Sequence, residues 1–334
     1  MILLDKNKPF YKANLHCHTN LSDGKMTPLE VKERYKENGY SIVAFTDHEI
    51  MYDNTALSDD KFLALKGYEL ATNQRVEAPF EHIKVAHFNF IAKDPSIDYQ
   101  VGFNKAHDWL HSDEECAKVK ELLIGFNRQY NVDDLNKISE AASKNGFLVT
   151  YNHPKWSLQQ FDDYINLEHL FAFEIVNRGE IVMGCHPNES IYDDMLRAGK
   201  RLFCVAADDN HRKLEQDNPW ADTCKAWVQI QSEDLSYKSV ITALEKGNFY
   251  SSTGPEIKHL ELVGRKLYVE CSPARAIYVT SKHRPVHAHF GEKVGDLVTG
   301  CEIELSDFHK DYIRVTVEDK EGKRAFSNAY FDLF

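Results

Sequence analysis

His16 and His18 are one residue apart. Alternate residues on a strand point to the same side, so both imidazoles can face one ion. Asp23 follows in Leu21-Ser22-Asp23-Gly24, a turn whose carboxylate can fold back over the end of that strand. Later apolar runs also end in or carry metal-ligand types: Thr46-Asp47-His48, Gly67-Tyr68-Glu69, His87, Asn152-His153-Pro154 and Asp208-Asp209-Asn210-His211. Imidazole nitrogen with carboxylate oxygen suits zinc, manganese or iron, whereas magnesium alone would want fewer histidines. The chain has 16 histidines in 334 residues, so one His-x-His pair is expected by chance, about the false-positive rate of any short motif. A second pair does occur, His287-x-His289, with no accompanying ligand types, and it reads as surface alternation.

Such residues act together only if elements bring them to one place. Up to about residue 250 short apolar runs alternate with amphipathic stretches, the pattern of βα units around a parallel sheet or barrel. Strands are expected at residues 13–18, 42–48, 62–69, 83–90, 147–153, 171–177 and 202–208, and helices at 28–38, 132–144, 190–198 and 237–246. Seven strands suit a barrel, whose strand ends converge on the face where chemistry is found. Residues 91–131 read as an insertion with a helix over 101–123. His107 and His111 would share a face of that helix and read as ordinary polar positions, since no Glu follows in the place a zinc-binding helix needs. Beyond Ser251-Ser252-Thr253-Gly254-Pro255 short alternating strands take over (259–270, 276–281, 301–305 and 312–318, with a turn at 319–322). This divides the chain into an α/β unit, 1–255, and a small all-β sandwich-like domain, 256–334.

Composition narrows the partners. Lys and Arg total 40 against 52 Asp and Glu, a formal charge of -12, which argues against a broad basic surface for long nucleic acid or anionic membrane. The opening MILLDKNKPFYK is too short and too charged for a signal-peptide core or a membrane span, so a cytoplasmic location is expected. Seven cysteines without a CxxC pair read as reduced, mostly buried thiols, so any metal here is held by histidine and carboxylate.

The ordered set His-x-His, Ser-Asp-Gly, Thr-Asp-His, Gly-x-Glu, His, Asn-His-Pro and Asp-Asp-x-His, over roughly residues 10–255, resembles the PHP (polymerase and histidinol phosphatase) family of metal-dependent phosphoesterases, in its two-domain form. The resemblance implies a distorted seven-stranded (βα) TIM-like barrel carrying two or three divalent ions (zinc, manganese or iron) and hydrolysis of a phosphate ester. Carried over by position, it implies His16, His18, Asp23, His48, Glu69, His87, His153, Asp208 and His211 as ligands, with Glu69 bridging two ions. His82 is the alternative to His87. Asp209 is the alternative to Asp208, because the closing motif here is Asp-x-x-His where many members have Asp-x-His.

In such a site paired ions acidify water and stabilise the attacking and leaving oxygens at phosphorus. Asp47, next to a ligand, is expected to orient a histidine. Arg178 first and Lys155 second are expected to face the non-bridging oxygens. His186 is the candidate acid for the leaving group. Trp156, ahead of Trp109, is the candidate to stack on a base or sugar, and the hydroxyls of 251–253 are candidates for phosphate contact. The expected activity is hydrolysis of a small phosphorylated metabolite or nucleotide, a mono- or diester. Activated water attacks carbonyl carbon too, so a hydrolase of carboxylic esters, amides or carbamates is the enzymatic alternative, and a non-catalytic metal- or ligand-binding module is the other. The β domain resembles an immunoglobulin-like addition.

Overall fold

The computed structural model describes residues 1–75, 82–284 and 287–334. In its α/β part the strands are β1 (Ile2–Leu4), β2 (Phe10–Asn14), β3 (Ile42–Phe45), β4 (Leu63–Arg75), β5 (His82–Ala92), β6 (Phe147–Tyr151), β7 (Ala172–Asn177), β8 (Phe203–Ala207), β9 (Trp227–Gln231) and β10 (Phe249–Ser252). Strands β2 to β8 lie side by side in chain order. Pairing is parallel from β2 to β4 and from β6 to β8, but antiparallel on both sides of β5. An all-parallel run is broken there because the short link between β4 and β5 cannot supply the crossover that parallel neighbours need.

Among the described residues the ladders trace an open path: β2 pairs β9 on its other side, and the two ends of the β2–β8 run meet only at an isolated parallel bridge between Cys17 and Asn210. The Asp208 N–H donates to Asn14 Oδ1 at 3.0 Å and the Asp209 N–H to the His16 carbonyl at 3.1 Å. These bonds set the histidine-rich segment after β2 beside the acidic segment after β8.

The helix Pro28–Glu37 starts where sequence chemistry dictates. Thr27 and Glu30 cap each other reciprocally, and Pro28 occupies the first turn, where no N–H is needed. It buries Val31 and Tyr35, and the Tyr35 hydroxyl reaches Asp208 Oδ2 at 2.9 Å. Helix Val132–Lys144 is capped by Asn131 and buries Leu135, Ile138 and Ala142. It ends before Gly146, whose φ of +85° suits glycine.

The helix expected over 101–123 does not form; a 3-10 turn at Lys105–His107 and one helical turn at Asp113–Cys116 stand in its place. The Glu121 carboxylate accepts the N–H groups of Gly102 and Phe103, each at 2.8 Å, which folds the segment back on itself. Its polar residues cap turns and its apolar residues lack a helical period, so the backbone satisfies itself locally. The fully buried Arg128 pins this insertion, donating to the carbonyls of Gly102 and Ala71 and to Glu49 Oε1 at 2.6 Å.

After residue 255 come β11 (Ile257–Val263), β12 (Lys266–Ala274), β13 (Ala276–Ser281), β14 (His287–Phe290), β15 (Val298–Glu304), β16 (Tyr312–Glu318), β17 (Arg324–Ser327) and β18 (Tyr330–Phe331). The single strand expected over 259–270 is a hairpin turning at Gly264, φ +60°. One sheet, β1-β11-β12-β15, faces β13, β16 and β17 across a core that includes Leu4, Leu260, Val269, Ile277, Val315 and Val317. The second domain is nevertheless continuous with the first, because β17 pairs β10 and extends the large sheet. Arg314 seals the junction: buried on β16, it donates to both carboxylate oxygens of Asp193 and to Glu189 on the helix Glu189–Arg197. Among the described residues no helix is long and apolar enough to cross a membrane.

Candidate metal centre

His16 and His18 flank the bridge residue Cys17 just after β2, and their Nε2 atoms converge at 3.0 Å. Glu69 approaches both, with Oε1 3.3 Å from His16 Nε2 and Oε2 3.3 Å from His18 Nε2. Glu69 is buried partway along β4 rather than at its end, and directly across the ladder Ala71 opposes His87 of β5. The antiparallel β4–β5 pair therefore presents two ligand types from mid-strand. His87 Nδ1 lies 3.0 Å and His153 Nε2 3.2 Å from Glu69 Oε1, with Asn152 Nδ2 donating to the same oxygen at 2.9 Å. On the other side His48 Nδ1 is 3.2 Å from Glu69 Oε2. Asp23 stands over the opening, 3.4 Å from His211 Nε2 and 3.7 Å from both His18 Nδ1 and His48 Nε2.

Four overlapping groups result, each with ligand atoms within 4.8 Å of one another: His18, Asp23, His48 and His211; His16, His18 and Glu69; His16, His153 and Glu174; and Glu69, His87 and His153. Glu174 is a residue the sequence reading missed. Buried mid-strand on β7, it takes His16 Nδ1 at 2.9 Å, which turns His16 Nε2 toward Glu69, and it accepts the His153 N–H at 3.1 Å. Asn177 Nδ2 bridges Glu174 and Asp209, at 2.8 and 3.0 Å.

Charge in this cluster is tightly shared. Burial opposes protonation of His18 and His153, but hydrogen bonds to Asp209 and Glu69 for the first, and to Glu69 for the second, outweigh it and raise them to about 10 and about 9. Burial and the charge of His18 press His48 down to about 3. Burial would raise Glu69, yet His87, His16 and His48 hold it well below the usual carboxylate range. Imidazoles and carboxylates thus share protons where they can share cations. Buried His18 Nδ1 has no hydrogen-bond partner among the described residues, which also fits a ligand role. The donor set of nitrogen and oxygen suits the divalent ions expected above.

The structure does not bring Asp208 into this cluster. Its carboxylate accepts the backbone N–H groups of Cys224, Lys225 and Ala226 and the Tyr35 hydroxyl, on the far side from the histidines. Asp209, with φ +50°, turns inward, and its Oδ1 lies 3.0 Å from His18 Nε2 and 3.2 Å from His16 Nε2. The side chain of His82 lies outside the described residues. Asp47 orients a turn rather than a histidine: its carboxylate accepts from the Thr19 N–H and hydroxyl and from Ser22, fixing the loop that carries Asp23.

The residues expected around the substrate divide. Trp156 lines a cavity of about 440 Å³ that opens on the cluster, along with Trp109, Leu110, Val85, Val182 and Met183. Arg178 does not line it; its guanidinium is held by the carbonyls of Ala221 (3.0 Å) and Pro219 (2.7 Å). Lys155 is likewise tied to the carbonyls of Pro187 (2.7 Å) and His186 (3.3 Å), and His186 is exposed outside the cavity. Among the described residues the Lys or Arg that does line it is Arg212, next to the ligand type His211, an adjacency the sequence reading passed over. The hydroxyls of Ser251, Ser252 and Thr253 bond to the carbonyls of Cys204, Pro255 and Arg324, so they serve the domain junction. His107 and His111 share no helix face: His107 reaches Asn127 at 2.8 Å, while His111 joins Asp108 to the Leu21 carbonyl.

The histidine and carboxylate order along the strands is the signature of a known family, and residues 14–210, over half of the chain, match the PHP domain: the protein belongs to that family. A 5'-3' exoribonuclease of Haemophilus influenzae is 31% identical over 99 residues, covering 28% of this chain and 35% of that protein, so the chain spans about a third of the length of this curated relative. Among solved structures, a two-domain protein from Bacteroides vulgatus containing a predicted PHP-like metal-dependent phosphoesterase is 14% identical with a TM-score of 0.44, over 97% of this chain and 96% of that one. An amidohydrolase from Chromobacterium violaceum, solved with sulfate and no metal, is 15% identical with a TM-score of 0.38, over 63% of this chain and 93% of its own.

Proposed function

We propose that this protein is a metal-dependent phosphoesterase that hydrolyses a small phosphorylated metabolite or nucleotide, as a mono- or diester. The observation that carries the reading is the convergence of His16, His18, Asp23, His48, Glu69, His87, His153, Asp209 and His211 at one end of a cavity whose volume, about 440 Å³, is that of a small-molecule site. Divalent ions held by these residues would supply Lewis acidity there, acidifying water and neutralising charge on phosphoryl oxygens.

The chain's own residues do the rest. Glu174 and Asn177 lock the orientation of His16 and Asp209. Asp47 holds the Thr19–Ser22 turn, so Asp23 stays over the opening. Arg212, whose Nη1 donates to the Trp220 carbonyl at 3.3 Å, offers its remaining guanidinium N–H groups to non-bridging oxygens, and Trp156 and Trp109 offer faces to the organic part of the ester. The acidic surface favours a small substrate over long nucleic acid or membrane. The exoribonuclease relative acts, by its name, on phosphodiesters, which fits phosphorus as the electrophile.

The test is a phosphate-release screen of metal-loaded protein over nucleoside monophosphates, sugar phosphates, histidinol phosphate and a chromogenic diester. Release from a small ester, lost in His16→Ala, supports the reading. Turnover confined to carboxylic esters or amides would replace it.

A further inference from the structure

The cavity contains a carboxyl group that the metal cluster does not use. Glu180 is 2% exposed and lines the same cavity as Glu69, His87, His153 and Asp209. It belongs to the turn after β7, which is packed hard against the cluster: the Gly179 N–H donates to the Asp208 carbonyl at 2.9 Å. A Cβ on Gly179 would lie 2.8 Å from the Asp209 carbonyl oxygen and 3.1 Å from its Oδ2, so only glycine permits this approach. The Glu180 carboxyl is then fixed from two sides, by the Trp156 N–H on Oε2 at 3.2 Å and by the Asn188 side-chain amide on Oε1. Trp156, Val182 and Met183 make the cavity wall around it apolar.

We propose that Glu180 is the catalytic acid that protonates the leaving oxygen of the ester, an inference that rests on the phosphoesterase reading. Water forms the new bond to phosphorus while the bond to the leaving oxygen breaks, its electron pair staying on that oxygen. The Glu180 carboxyl gives its proton to that oxygen, producing the alcohol, and the carboxylate recovers a proton from the one the attacking water releases. Burial is what keeps the acid loaded, raising Glu180 to about 7. Of the ionisable groups that act on it or lie near it, His153 lowers it, Glu174 raises it, and Cys185 is neighbouring. An acid near neutrality is the most effective proton donor at neutral pH.

Leaving-group dependence tests this directly. Wild type and Glu180→Gln are compared on p-nitrophenyl, phenyl and benzyl esters of phosphate, in whichever ester form, mono or di, the wild type turns over. The leaving oxygen becomes more basic along that series and needs a proton more. The expected result is a loss of kcat in Glu180→Gln that grows along the series, to about 10²–10³-fold for the benzyl ester. Metal content stays that of wild type, and so does thermal melting at pH 5, where the folded wild type also carries a neutral Glu180. An infrared band of a protonated carboxyl, titrating near pH 7 in chelated wild type and missing from Glu180→Gln, is the readout independent of turnover. An equal loss for all three esters would make the role structural, a loss of bound metal would make Glu180 a ligand, and wild-type turnover of the p-nitrophenyl ester alone would mean no acid operates; each overturns the proposal. Failure of the wild type on every ester overturns the phosphoesterase reading itself, and this inference with it.

Discussion

Asp208 and Asp209 are chain neighbours whose carboxylates face opposite ways: Asp208 closes on three backbone N–H groups behind the site, and Asp209 Oδ1 stands 3.0 Å from His18 Nε2 within it. The left-handed φ of Asp209, +50°, makes the reversal possible. The two residues should therefore fail differently. Asp209→Asn is expected to keep its fold and lose bound metal. Asp208→Asn replaces a charged acceptor by an amide whose N–H₂ must face backbone donors, and it should lose about 2–3 kcal/mol of stability. Elemental analysis and urea denaturation of the two variants decide the matter.

Arg212 lines the cavity and Arg178 does not. Arg212→Ala is expected to raise KM for a phosphate ester about tenfold or more, the worth of a charge-assisted hydrogen bond of roughly 1.5–3 kcal/mol. Arg178→Ala removes only the ties to the Pro219 and Ala221 carbonyls, and should leave KM unaltered. Steady-state kinetics on one substrate suffices.

Burial raises Glu180 from 4.5 to about 7, which makes stability depend on pH in the metal-free protein. Between those values the unfolded chain has lost this proton and the folded chain keeps it, so the folded state binds more protons and stability falls as pH rises. The contribution is complete below about 4.5 and lost as pH passes 7. Chelated wild type should lose up to about 3 kcal/mol across this window relative to Glu180→Gln. Parallel denaturation curves at pH 5 and pH 8 measure the difference.

The two domains are one mechanical unit through Arg314, whose guanidinium is buried against Asp193 and Glu189. Arg314→Ala leaves Asp193 with only the 3.8 Å approach of Arg197, while Glu189 keeps Arg324 at 2.6 Å, and a loss of about 3 kcal/mol is expected. A denaturation curve that keeps a single transition while shifting as a whole would show that the junction and the cores unfold together.

Ligand types at run ends made much of the centre legible in the sequence. His16, His18, Asp23, His48, His153 and His211 each follow or close an apolar run, and the structure brings them together. Glu69 and His87 were also visible, though they meet across an antiparallel ladder rather than at parallel strand ends. Glu174 was hidden inside the apolar run Phe173-Glu174-Ile175-Val176, where its burial, not its position at an end, was the signal. The choice between Asp208 and Asp209 turned on one backbone dihedral, which no spacing rule reports. Arg178 and Lys155 stood where an anion site would need them, but backbone carbonyls from distant loops claimed them, and such long-range contacts leave no local trace. The helix expected over 101–123 failed because Glu121 bonds back to Gly102 and Phe103, a contact between the segment's two ends.

The measurement that bears most directly on the central claim is a titration of chelated protein with manganese or zinc, following bound ions and phosphate release from a small ester together. The expected result is turnover that appears as two or more ions bind per chain and is absent in His16→Ala. Turnover that persists in the chelator, or full metal binding with no release from any phosphate ester, would contradict the account.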